Sequence, residues 1–233
     1  MDRRQMLTSA TLGAVGLAAG LSNAGPLKPA TNGKIRVGVL LSENAQVIDF
    51  AGPWEVFQGV HLASRGATHE AAMPFELFTV APTKEPLRAT GGLRITPDYT
   101  FADVPQANII VVPAQGGLTP YAKEAKEWLI NASAKSDVTM SVCTGAFILG
   151  HAGLLDGLSA TTYHRRLDQF AATFPKVKLV RGVRFVENDK ISTSAGLSAG
   201  IDLALHVVER YFGREVAAHT AANLEYEGKG WIV

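Results

Sequence analysis

Val138-Thr139-Met140-Ser141-Val142-Cys143-Thr144-Gly145-Ala146-Phe147-Ile148-Leu149 is the stretch whose reading decides the fold. An apolar, β-prone run leads directly into a helical one, with a cysteine at the junction and small residues just after it. Such a strand-to-helix turn lifts the side chain above the sheet edge and aims it at the helix N-terminus. The positive end of the helix dipole there favours a thiolate, which predicts a lowered thiol pKa. This is the pattern of a nucleophile elbow with Cys in the place of Ser. It also lies at the carboxyl end of a strand, where open α/β sheets bind their ligands. The competing reading is a buried structural cysteine, the commoner fate of a free thiol; the Thr144-Gly145-Ala146 context favours the reactive one.

Outward from this junction the chain alternates short β-rich runs with amphipathic stretches. Strands are expected over residues 35–41, 75–80, 108–113 and 138–142, and near 178–180 and 191–193. Helices are expected over 49–64, with Pro53 in the first turn, and over 119–134, 144–152, 165–174 and 201–212. Glu225-Tyr226-Glu227 reads as the end of a helix. Repeated strand–helix units predict an α/β fold, a three-layer sandwich around a mostly parallel sheet.

Composition removes several function classes. One cysteine in 233 residues cannot close an intrachain disulfide or build a thiolate metal cluster, and the six histidines show no ligand-like spacing, so no metal site is expected. A hydrophobic share of 47% against 18% charged residues excludes a disordered chain. A net charge of +1 offers no general attraction for nucleic acid.

The N-terminus reads as a targeting segment. Arg3-Arg4 precedes an apolar stretch from Ala10 to Leu21, too short and glycine-rich for a membrane span, and Ser22-Asn23-Ala24 offers small residues for cleavage before Gly25. Residues 1–24 resemble a twin-arginine-type signal peptide, which implies a periplasmic protein with no stable membrane insertion after signal removal. The remaining chain has 20 basic and 20 acidic residues. Residues 25–33 read as a flexible lead-in, 34–227 as the domain and 228–233 as a C-terminal tail over the pocket mouth or a neighbour.

Several separated motifs, in order, carry a wider resemblance. They are Val47-Ile48-Asp49-Phe50-Ala51-Gly52-Pro53-Trp54-Glu55-Val56-Phe57, Ser141 to Ala146, Ala152-Gly153-Leu154-Leu155-Asp156-Gly157, Ala160-Thr161-Thr162, and Thr193-Ser194-Ala195-Gly196 through Gly200 to Leu205. Across residues 35–227 the chain resembles the ThiJ/PfpI superfamily, with its class I glutamine-amidotransferase-like, flavodoxin-like fold. Within it the likeness is to isonitrile hydratases and to the ligand-binding domains of AraC-type regulators.

The resemblance implies roles for particular residues. Asp49, which by itself reads as a helix N-cap, matches the acidic residue that the family holds beside its thiol. Thr144 stands where proteolytic members carry His, as in the isonitrile hydratase pattern, and its backbone N–H is expected at an anion site. Pro113-Ala114-Gln115-Gly116-Gly117 matches a Pro-Gly-Gly turn whose N–H groups would face the site, with the glycines displaced by one step, so Gln115, Gly116 and Gly117 are candidate oxyanion or substrate contacts. Tyr163 and His164 replace a single family His after Thr162, and either is a candidate substrate contact. Trp54 and Phe57 read mainly as core.

The function implied is a cofactor-free cysteine hydratase of the isonitrile hydratase type acting on a small molecule, in a homodimer. The alternatives are glyoxalase or deglycase chemistry on reactive aldehydes, or a non-catalytic periplasmic ligand or redox sensor using Cys143. Direct transcription control is not expected, because no DNA-binding module follows the domain.

Overall fold

The computed structural model describes residues 20–22, 24–28, 33–119 and 122–233. The Arg3-Arg4 pair and the expected apolar stretch up to residue 19 lie outside the described residues.

The strands are β1 Leu21–Ser22, β2 Ile35–Leu40, β3 Phe75–Ala81, β4 Leu87–Arg88, β5 Arg94–Ile95, β6 Tyr99–Thr100, β7 Ile109–Val112, β8 Val138–Ser141, β9 Ser159–Ala160, β10 Lys178–Leu179, β11 Phe185–Glu187 and β12 Ile191–Ser194. The helices are α1 Val47–Gln58, α2 His69–Ala72, α3 Ala122–Lys135, α4 Gly145–His151, α5 Leu167–Thr173, α6 Ala199–Phe212 and α7 Arg214–Asn223.

Eight strands form one sheet in the order β1-β11-β12-β8-β7-β2-β3-β6, parallel throughout except for the β11–β12 pair. The central strands are apolar without alternation because helices cover both faces: all four residues of β7 and of β8 are buried. One face packs against α1, α6 and α7, the other against α3, α4 and α5. This is the three-layer α/β sandwich expected.

The chain leaves β2 toward β3 on one side and returns through β7 to β8 on the other. The gap between β2 and β7 is therefore a topological switch point, where ligand sites form in such sheets.

Several boundaries differ from those expected. Helix α1 begins two residues before Asp49, with Gln46 as N-cap, and ends at Gln58. Pro53 accordingly sits in its second turn. There the missing N–H leaves the Asp49 carbonyl without its intrahelical donor. Helix α7 ends at Asn223, and Glu225 takes φ 50° beyond it. Strand β11 was not anticipated, since a three-residue strand carries too little pattern to register.

Segments on either side of the domain dock on it. Leu21–Ser22 adds a parallel edge strand to β11. Ser22 Oγ donates to Glu187 Oε2 at 2.5 Å, and the Leu27 N–H donates to the Arg210 carbonyl at 2.8 Å. Glu187 is buried, which pushes its carboxyl pKa up, but His206 at 2.8 Å, Arg210 at 2.6 Å and Ser22 outweigh that and hold it below the ordinary value. At the other end Trp231 is buried and carries Arg214 over its ring at 5.4 Å.

In the chain that retains residues 1–24, Ser22→Ala removes a hydrogen bond to a charged acceptor and is expected to lower stability by about 1–2 kcal/mol in urea unfolding. An unchanged midpoint would mean that the edge strand does not hold Glu187.

Candidate functional site

Cys143 follows β8 and precedes α4. Its φ of 60° is a left-handed conformation costly for a residue with a Cβ. Three backbone links hold it: the Val142 N–H to the Val112 carbonyl at 3.0 Å, the Cys143 N–H to the Ala195 carbonyl at 3.1 Å, and Thr162 Oγ1 to the Cys143 carbonyl at 2.8 Å. The turn closes tightly because Gly145 has no side chain; a Cβ there would lie 2.0 Å from the Val112 carbonyl oxygen. Thr144 caps α4 in sequence but makes no side-chain cap hydrogen bond.

Asp49 approaches from the other side of the sheet top. It is fully buried, and Oδ2 accepts the Ala114 N–H at 3.1 Å, just after β7. Oδ1 is buried with no hydrogen-bond partner. The expected cap is therefore absent, since its own helix begins at Gln46 and its carboxyl faces Ala114 and the thiol. Residues following β2, β7 and β8, three neighbouring strands, thus converge on one point.

The electrostatics follow from burial. Burial raises the Asp49 pKa to about 6, against the lowering effects of the Ala114 N–H, the Cys143 thiol and the Leu197 N–H. Burial first, and then the Asp49 charge, push the Cys143 thiol up to about 12; the N–H groups of Thr144 and Leu197 oppose this. The lowered thiol pKa expected from the helix dipole is thereby corrected. Helix α4 has only seven residues, and the buried carboxylate beside the sulfur outweighs its N-terminus. At neutral pH the pair therefore holds one proton, on sulfur. No imidazole or ammonium figures among the groups that shift the thiol.

The structure sorts the remaining candidates. The N–H groups of Gly116 and Gly117 do not face the site: both donate to the Glu43 carbonyl, at 3.2 and 3.0 Å. The displaced glycines lay the turn against residue 43, and the Ala114 N–H, not theirs, meets Asp49. Gln115 is anchored by Nε2 to the Leu40 carbonyl at 3.1 Å, while its Oε1 is buried without a partner. Tyr163 packs against Gly196 in the turn that carries Leu197. His164 is exposed, its ring edge-on to Tyr163 at 4.5 Å, so the extra residue turns the imidazole outward.

Leu197, with φ 57°, was missed. It contributes through its backbone N–H, which no residue-type signal reveals; the small-residue run Ser194-Ala195-Gly196 ahead of α6 was the available hint. Among the described residues no group of three or more His, Cys, Asp or Glu is placed to hold a metal ion, and no helix is long and apolar enough to cross a membrane.

The model of the DJ-1/PfpI family matches residues 35–210. Isonitrile hydratase from Pseudomonas putida is 30% identical over 198 residues, covering 82% of this chain and 78% of that protein. The HTH-type transcriptional regulator GbdR from Pseudomonas aeruginosa is 26% identical and covers 82% of this chain, which spans 50% of the regulator's length. A ThiJ/PfpI family protein from Pseudomonas syringae superposes with a TM-score of 0.72 at 26% identity, covering 84% of this chain and 77% of that one.

Two outcomes are expected of Asp49→Asn. Alkylation of Cys143 by iodoacetamide at pH 8 accelerates, because the charge that disfavours the thiolate is gone; no acceleration would contradict the pairing. Stability also changes with a defined sign. The folded carboxyl keeps its proton up to about pH 6, whereas unfolded chain releases it near 3.8. Wild-type stability therefore falls as pH rises through that window, by up to about 3 kcal/mol. Relative to wild type, Asp49→Asn gains stability between pH 4 and pH 7.5 in urea unfolding; a constant difference would show that Asp49 ionises at its ordinary value.

Proposed function

This chain belongs to the DJ-1/PfpI family, and on that premise we propose that it is a cofactor-free cysteine hydratase that adds water to an isonitrile. The observation that carries the reading is the placement of the buried Asp49 carboxyl beside the buried Cys143 thiol, where burial favours a single proton on sulfur at neutral pH. The terminal carbon of R–N≡C needs a sulfur and a proton added to the same atom. A thiol backed by a carboxylate delivers both.

The steps balance without an oxidant or cofactor. As Cys143 Sγ bonds to the terminal carbon, its proton passes by way of Asp49 to that carbon, giving the thioimidate R–N=CH–S–Cys143. Negative charge on sulfur in the approach to bonding falls beside the N–H groups of Thr144 and Leu197. Water then adds to the same carbon, one proton going to Asp49 and on to nitrogen. The C–S bond breaks, sulfur regains a proton, and R–NH–CHO leaves.

Access supports the choice of electrophile. Cys143 is only 6% exposed, which suits a slender linear head group better than a branched carbonyl. The 30% identity to an isonitrile hydratase over most of both chains supports it as well.

Incubation with an alkyl isonitrile is expected to yield the N-alkylformamide, followed by NMR. Cys143→Ala should abolish turnover, and Asp49→Asn should lower kcat/KM by about a hundredfold or more. The pH profile should rise through about pH 6 as Asp49 ionises and then stay level through pH 9. No formamide above the Cys143→Ala control would sink the reading.

A further inference from the structure

On the other face of the sheet from Asp49, a cleft of about 560 Å³ runs between α3 and α4 and opens beside the nucleophile turn. Its volume falls in the range of small-molecule sites. Along α4 it is lined by Thr144, Phe147, Ile148 and His151, the spacing of one helix face. Thr144 is the residue after the nucleophile. His151 lies seven residues on, roughly 10 Å along the axis at 1.5 Å per residue. The cleft therefore has one end at the reacting turn and the other at the C-terminus of α4.

Its walls change character along that length. Between the ends they are apolar: Phe147 and Ile148 face α3, where Ala122 and Leu129 line the opposite side. Among the described residues, the ionisable side chains that line it are Lys126 and His151, with no carboxylate. The His151 ring is held edge-on against Phe174 at 5.0 Å. Gln115 also lines the cleft, fixed in place by the Nε2 bond to the Leu40 carbonyl.

We propose that this cleft binds an ω-carboxyalkyl chain: a hydrocarbon tail that carries the reacting group at one end and a carboxylate at the other. The methylenes lie against Phe147 and Ile148, and the carboxylate meets Lys126 and His151. This names a substrate class for the hydratase and rests on that reading for its chemistry, but the recognition itself needs no turnover.

The test is direct binding of the product analogue ω-formamido-octanoate and of uncharged N-octylformamide, by calorimetry, to the full chain and to its Cys143→Ala variant. The carboxylate is expected to bind about tenfold tighter, equivalent to about 1.4 kcal/mol. Lys126→Glu should erase that preference and leave the neutral amide unaffected. Ala122→Trp, at an exposed helix position that also lines the cleft, should weaken both ligands, with thermal melting confirming the fold of each variant.

Equal binding of the two ligands to wild type, or Lys126→Glu acting on both alike, would overturn the proposal, as would an Ala122→Trp variant that binds both normally. Selective binding without isonitrile turnover would keep this inference and fail the hydratase reading. Turnover without selective binding would do the reverse.

Discussion

A carboxylate buried against a buried thiol is the constraint on which the site depends. Burial raises both pKa values, and the Asp49 charge raises that of the thiol further while the thiol favours the Asp49 carboxylate, so the pair holds one proton over the neutral range. Such a pair is unfavourable in isolation and persists because the surrounding fold fixes both partners. Asp49 is pinned by the Ala114 N–H and by its place in the first turn of α1. Cys143 is pinned in a left-handed conformation by hydrogen bonds to three other segments and by the close approach of Gly145 to β7. The stability sacrificed at the elbow is supplied by the fully buried strands beneath it.

The strand order explains why these groups meet. Sequence separates Asp49 from Ala114 by 65 residues, but the strands that precede them, β2 and β7, are neighbours, and β8 with Cys143 is next. The switch point between β2 and β7 leaves the tops of these strands uncovered, so three loops can converge there. The same arrangement places the cleft between α3 and α4 one residue from the nucleophile, on the opposite face.

Much of this was legible in the sequence, for identifiable reasons. The α/β architecture follows from the alternation of apolar runs and helical periods, and the elbow from a single strand–Cys–Thr–Gly–Ala junction, because both are local patterns. Asp49 alone reads as a helix cap, and only the family resemblance pointed it at the thiol; its hydrogen-bond partner is the backbone N–H of Ala114, just after β7. The Leu197 N–H and the engagement of Gly116 and Gly117 by the Glu43 carbonyl were illegible, since backbone groups leave no residue-type signature. The thiol pKa was misread for a related reason. The helix start is visible in sequence, while the burial that dominates it emerges only from the packed fold.

At neutral pH the shared proton resides on sulfur while Asp49 is ionised. Infrared difference spectroscopy across pH reads both groups at once through the S–H stretch and the carboxylic C=O stretch. The S–H band is expected to persist from pH 5 to pH 9, while the C=O band of a buried acid disappears near pH 6 and is missing in Asp49→Asn. An S–H band lost below neutrality with the C=O band still present at pH 8 would place the proton on Asp49 and contradict this assignment.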